Sequence, residues 1–98
     1  MDITEVNINL RDEEKLKAFV NITFDDVFVV RGLKVIQGRS GLFVCMPSRK
    51  LKDGSYKDIA HPIRNDFRQT LEDLILSRYQ ELLDSGEAGE PISKDDDY

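Results

Sequence analysis

This 98-residue sequence has little of what metal binding requires. It contains one cysteine, Cys45, and one histidine, His61. A single cysteine can form no disulfide within the chain, and a lone thiol is typical of a reducing compartment. Structural zinc needs several cysteine or histidine ligands at short spacings, and the run "DDD" at 95–97 is more typical of a solvated acidic tail than of a cation site. We therefore expect no metal and no cofactor.

Catalytic motifs are also missing. The sequence has no GxSxG, HExxH or P-loop pattern. His61 precedes Pro62 at a corner between an extended segment and a predicted helix, where we expect it to hydrogen-bond backbone groups rather than to transfer protons. Cys45 lies in an apolar run, where a small thiol is usually buried and unreactive. We predict that the protein has no catalytic residues and is not an enzyme.

Long apolar runs are absent as well. None approaches the roughly 20 residues needed to span a bilayer, and the opening "MDITEVNINL" is acidic and polar, unlike a secretory signal. We therefore expect a cytoplasmic protein without membrane contact. The hydrophobic fraction of 40% and the charged fraction of 34% are typical of a soluble globular chain, and the length suits one domain with a modest core.

Hydrophobic periodicity predicts an α+β fold, with an antiparallel sheet of about five strands followed by a C-terminal amphipathic helix. The third strand is apolar on both faces, so we expect it to be central or to cover a partner subunit, with a bulge at Gly32. Asp53-Gly54 is the strongest turn signal, and Asn65 or Asp66 is expected to cap the helix. The predicted strands fall at 4–10, 16–24, 27–36, 42–47 and 55–60, and the helix at 67–83.

The domain organisation predicted from composition is simple. Residues 1–84 form a single domain, and the Gly-, Pro- and Asp-rich segment 85–98 is a flexible, disordered acidic tail.

Basic residues are concentrated in the middle of an otherwise acidic chain. The net charge is −5, yet segment 31–57 has seven basic residues and one acidic residue, a local charge of +6. A local patch of this kind can bind anions despite the global charge. The candidate nucleic-acid-binding residues are Arg49, Lys50 and Lys52 on a predicted loop, Lys57 on the next strand, and Arg64 and Arg68 at the helix start.

The residues alone leave two interpretations of this basic segment open. It binds phosphates, helped near the helix start by free amides and the helix dipole, or it is a solvated loop that keeps a sheet edge soluble. Neither a helix-turn-helix signature nor an RNP-type aromatic motif is present, which argues against strongly sequence-specific recognition.

The motifs "GLFVCMPSRK" (41–50) and "DGSYKDIAHPI" (53–63) closely resemble the SpoVG family, the stage V sporulation protein G or septation proteins of bacteria. The resemblance covers about residues 1–83. It implies a small cytosolic protein that dimerises through its sheet, binds DNA and/or RNA, and regulates gene expression linked to septation, cell division and sporulation. It also implies that the binding residues follow "MPS", here Arg49 and Lys50. This chain has Leu51 where the family often has Thr, so one hydroxyl able to bond a phosphate is absent.

Two functional hypotheses follow. The first is a dimeric, non-enzymatic regulator that binds nucleic acid through the six candidate residues above. The second is a protein–protein interaction module of the division or sporulation machinery that does not bind nucleic acid. In that alternative an apolar strand edge or the acidic tail contacts the partner, as the net acidic charge and the link to septation suggest.

Overall fold

The computed structural model describes residues 1–85 and confirms the predicted fold class. An antiparallel sheet in the order β1-β2-β3-β4 is followed by a two-stranded hairpin, β5-β6, and by one helix. The segment from residue 86 onward, most of the predicted tail, lies outside the described residues. The elements are β1 (Ile3–Leu10), β2 (Leu16–Phe24), β3 (Phe28–Gly38), β4 (Gly41–Cys45), β5 (Ser48–Lys50), β6 (Tyr56–Asp58) and α1 (Asn65–Asp84).

The core lies between one face of the sheet and the helix. Strict alternation in β2 places its small and branched apolar residues on a single face, where Val20 and Ile22 are fully buried. Residues Leu71, Ile75 and Tyr79 of α1 recur every fourth position and join the same cluster. Arg78, which falls at a similar helical spacing, is exposed. No helix within residues 1–85 is long and apolar enough to cross a membrane.

The predicted bulge at Gly32 is confirmed. Val20 pairs with Leu33 and Ile22 pairs with Val30, so β3 has one residue more than β2 between these two pairs. Gly32 has φ +89°, a left-handed conformation that glycine adopts without steric cost. The extra residue changes which side chains share a face, and this is how Val30 and Leu33 both reach the core side of β3.

The helix begins at Asn65, so its N-cap residue lies one position before the two predicted capping residues. Arg64, in extended conformation, is the N-cap residue, and its side chain makes no capping hydrogen bond. The expectation that Asn65 or Asp66 occupies this position is therefore wrong. Asp66 instead lies inside the first turn, where its carboxylate accepts a 2.7 Å hydrogen bond from the backbone N–H of Phe67.

Candidate nucleic-acid interface

The basic segment after Pro47 is a strand of a hairpin, not the loop that was predicted. Arg49 and Lys50 belong to β5, in direct antiparallel pairing with β6. The Ile59 N–H donates to the Pro47 carbonyl at 2.7 Å, and the Leu51 N–H donates to the Ser55 carbonyl at 2.7 Å. These two bonds bracket the ladder, so the basic side chains project from a hydrogen-bonded backbone.

The predicted Asp53-Gly54 turn connects the two strands. The Gly54 N–H donates to the Leu51 carbonyl at 3.0 Å, and Gly54 has φ +91°. Both the hydroxyl and the backbone N–H of Ser55 donate to Oδ1 of Asp53, at 2.6 and 2.9 Å. These bonds from Ser55, the hydroxyl first, lower the pKa of the Asp53 carboxyl. The turn therefore holds Lys52 between two fixed strand ends.

Alternation divides the hairpin into two faces. Arg49 pairs with Lys57 on one face, and Lys50 pairs with Tyr56 on the other. Within residues 1–85 no carboxylate lies within ion-pair distance of any of the four cations of the hairpin. These cations, all exposed, are Arg49, Lys50, Lys52 and Lys57. The hairpin thus presents four positive charges that the described part of the chain does not pair with acids.

The two candidates at the helix start are already engaged by acids. Arg64 makes a bidentate pair with Asp66, with Nη2–Oδ2 at 2.6 Å and Nε–Oδ1 at 3.1 Å. Arg68 lies 3.8 Å from Glu72 one turn later. The Arg64–Asp66 pair is 77% and 67% exposed, and such exposed pairs contribute only about 0–1 kcal/mol. A phosphate that binds either arginine has to compete with the neighbouring carboxylate. The cations of the hairpin have no such competitor within residues 1–85.

The lone histidine and cysteine have structural surroundings. Nδ1 of His61 lies 3.0 Å from the carbonyl of Pro62, so in the tautomer protonated at Nδ1 it donates a hydrogen bond to the backbone. Cys45 is half-buried at the end of β4. Burial raises the pKa of the Cys45 thiol, the charge of Lys34 opposes this and that of Asp58 adds to it. Among residues 1–85 no cluster of His, Cys, Asp or Glu could hold a metal ion.

An apolar groove of about 570 Å³ opens beside the helix start. Phe28 pairs with Phe24 on the core face of the sheet, at the end that the helix leaves uncovered. The rings of Phe24 and Phe67 lie 6.3 Å apart across this region. Three apolar side chains that line the groove are strongly exposed: Met1 at 77%, Phe28 at 62% and Ile63 at 91%. Such an open apolar surface is unusual on a monomeric protein and typical of an interaction site.

Two features of this region were not predicted from the sequence. Tyr56 was not singled out, because a two-residue turn at Asp53-Gly54 would place Lys57 opposite Lys50, whereas in the structure Tyr56 lies opposite Lys50. The groove was missed because its side chains come from distant segments, and only the packing of the helix against the sheet brings Phe28 and Ile63 together.

Comparison with known proteins is consistent with the motif resemblance. The SpoVG family model matches residues 1–81. The chain is 52% identical to a relative from an Anaeromyxobacter species over 97 residues, covering 99% of this chain and all of the relative. It is 55% identical to a relative from Bdellovibrio bacteriovorus over 87% of this chain and 79% of the relative. It is also 52% identical to one from Clostridioides difficile over 85% of this chain and 91% of the relative. Each of these relatives carries the name "Putative septation protein SpoVG".

Proposed function

Because this chain belongs to the SpoVG family, we propose that it is a dimeric, non-enzymatic regulatory protein that binds nucleic acid through the β5-β6 hairpin. We further propose that it acts in septation, the process for which its relatives are named. In this proposal DNA and RNA share one mode of contact, because the groups that bind them are cations aimed at phosphates.

The observation that carries the proposal is the set of four exposed cations on one hydrogen-bonded hairpin, none of them paired with an acid of residues 1–85. Lysine and arginine neutralise phosphates and release the counterions condensed on the nucleic acid. The ladder and the Asp53–Ser55 turn hold the positions from which these side chains extend, so less backbone order has to be created on binding. Phosphate contacts of this kind give affinity with modest sequence preference.

The apolar groove supports the dimeric part of the proposal. Ile63 lines the groove and is almost fully exposed, and other apolar side chains of the same groove, such as Phe28, offer a surface for a matching group. A two-fold axis would let each copy cover the exposed side chains of the other, since such an interface uses the same patch twice. Two hairpins in one dimer would then bind one nucleic acid with an increased effective concentration.

A salt titration tests the nucleic-acid binding. Affinities of the parent and of Arg49→Ala/Lys50→Ala would be measured for a labelled duplex DNA and a labelled single-stranded RNA between low and physiological salt. We expect weaker binding for the double variant on every sequence, with a salt slope shallower by about 0.9 for each duplex phosphate that the variant no longer neutralises. The double variant Lys15→Ala/Arg78→Ala is the control, because it removes the same charge from exposed positions outside the hairpin.

The outcomes separate the two hypotheses. A hairpin double variant that binds as tightly as its parent at low salt, or whose affinity falls no further than that of the control, would contradict the proposal. The basic residues of the hairpin would then serve only to keep a sheet edge soluble. In that case the apolar groove would favour a protein–protein interaction module.

A further inference from the structure

We propose that Tyr56 is a stacking platform for an unpaired nucleobase, with Lys50 beside it holding the adjoining phosphate. The hairpin then prefers single-stranded nucleic acid to duplex. This inference rests on the nucleic-acid binding proposed above and specifies its substrate class.

The first support is the exposure of the tyrosine ring. Tyr56 is 67% exposed on β6, whereas Tyr79 is 6% exposed in the core. Aromatic side chains contribute to stability chiefly by burying their large surface. Tyr56 buries only a minor part of its surface and therefore gains little stability in this way. Within residues 1–85 the one ring–ring contact is between Phe24 and Phe67, so the exposed Tyr56 ring stacks on no other ring of this part of the chain.

The second support is the position of the ring relative to charge. Lys50 lies directly across the ladder from Tyr56, a spacing of about 5 Å between Cβ atoms in such pairs. The next cationic side chain toward the turn is that of Lys52. On the other side of Tyr56, the same face bears Asp58, paired with Ser48. A bound strand is therefore expected to place its phosphates toward the turn, near the lysines, and away from Asp58.

Base accessibility gives the preference for single strands. Inside a duplex each base is already stacked on both neighbours, so apart from the two end pairs no base face is free to meet an exposed ring. In a single strand every base offers a π-face, which is why aromatic side chains among cations bind single strands with little sequence preference. The Arg49–Lys57 face has no such ring and suits phosphates of either form.

Matched probes separate stacking from charge. Affinities of the parent, Tyr56→Ala and Tyr56→Phe would be measured for a 12-nucleotide oligo(dT), an abasic single strand with the same number of phosphates, and a 12-base-pair duplex. We expect Tyr56→Ala to weaken oligo(dT) binding by about tenfold, the scale of one stacked base. Binding of the abasic strand and the duplex should change less than twofold, and Tyr56→Phe should behave like the parent. Oligo(U) in place of oligo(dT) compares RNA with DNA.

A fluorescent variant provides an independent readout, because the chain contains no tryptophan. The indole of Tyr56→Trp should be quenched by oligo(dT) and not by the abasic strand. Phe43→Trp, at a 45% exposed position on the four-stranded sheet, should be quenched by neither.

Three results would overturn the inference. An equal loss of affinity for the abasic strand would show that Tyr56 supports the hairpin rather than a base. Unchanged oligo(dT) binding by Tyr56→Ala would show that the ring does not contact the bases. If the same proteins still bind the duplex, only this inference fails and the proposed function stands. A parent that binds none of the probes would remove the proposed function and this inference together.

Discussion

Arg49 lies directly opposite Lys57 in the β5-β6 ladder, so two like charges face each other on a hairpin of three paired residues per strand. Like charges in this position destabilise a strand pair, by up to about 1 kcal/mol. Within residues 1–85 no acid neutralises either group. An anion bound between them would relieve the repulsion, so the arrangement reduces the stability of the free hairpin and favours a phosphate ligand.

Reversing one of these charges should stabilise the hairpin and weaken binding together. In Lys57→Glu the new carboxylate faces Arg49, which turns a repulsive pair into an attractive one. We expect slower hydrogen exchange at the Leu51 and Ile59 amides, whose bonds bracket the ladder, and lower affinity for nucleic acid. Lys52→Glu is the control: it makes the same charge change in the turn, outside the paired residues, and should weaken binding without slowing exchange. Faster exchange in Lys57→Glu would contradict the assigned pairing.

The geometry of the turn should matter independently of charge. Gly54 has φ +91° with open space where a Cβ would lie, so Gly54→Ala is strained by its backbone alone, at a cost of roughly 1–2 kcal/mol. We expect it to weaken nucleic-acid binding by loosening the hairpin. Gly41→Ala carries comparable strain at φ +131° in the main sheet, and should lower the free energy of unfolding while the folded protein binds normally. Equal affinity of Gly54→Ala and the parent would show that the turn does not position the cations.

Local rules account for the parts of the fold that could be predicted. The alternation of β2, the bulge at Gly32 and the Asp53-Gly54 turn each depend on a few neighbouring residues with strong preferences. Strand β5 could not be recognised in this way, because Ser48–Lys50 is short and polar and is a strand only through its partner across the turn.

Side-chain contacts and packing explain the rest of what the sequence did not reveal. The candidate Arg64 is paired with Asp66, a contact that depends on rotamers rather than on pattern. The groove exists because the helix begins at Asn65 and leaves the Phe28 end of the sheet uncovered.

The carboxylate of Asp53 should give the turn a measurable pH dependence. Hydrogen bonds from Ser55 hold the pKa of Asp53 below its ordinary value of 3.8. Their contribution to stability is therefore complete above the unfolded pKa and is lost as the pH falls through the lower, folded pKa. Ser55 amide shifts followed by NMR should report this transition below pH 3.8. Asp53→Asn keeps an oxygen acceptor for Ser55, so we expect it to abolish the transition and, by removing one negative charge, to strengthen nucleic-acid binding. Weaker binding of Asp53→Asn would contradict a phosphate-binding role.

Cys45 should behave as a structural thiol. Burial raises its pKa above the ordinary value, so little thiolate, the reactive form, is present near neutral pH. We expect slow alkylation of the native protein by iodoacetamide, fast alkylation in urea, and normal nucleic-acid binding by Cys45→Ser. In Lys34→Ala the thiol should react still more slowly, because the charge of Lys34 lowers the pKa of Cys45. Rapid labelling of the folded protein with loss of binding would reverse this interpretation.

A charge on the rim of the groove should dissociate the proposed dimer. Ile63 is 91% exposed, so Ile63→Asp should leave the fold of one chain intact, yet an aspartate buried against apolar groups of a second copy would be strongly unfavourable. Light scattering should give twice the chain mass of 11.3 kDa for the parent and a single chain mass for Ile63→Asp. Val27→Asp is the matched control, because Val27 is 84% exposed but does not line the groove.

Ile63→Asp should also distinguish the contribution of having two hairpins in one dimer from the contribution of the contacts that each hairpin makes. A monomer retains its hairpin, so Ile63→Asp should bind an oligonucleotide too short for two hairpins as well as the parent does. A longer oligonucleotide should bind more weakly, because the second hairpin no longer acts at a high effective concentration. A parent that is monomeric at high micromolar concentration would remove the dimer from the proposed function, and the groove would then remain as a surface for a different partner.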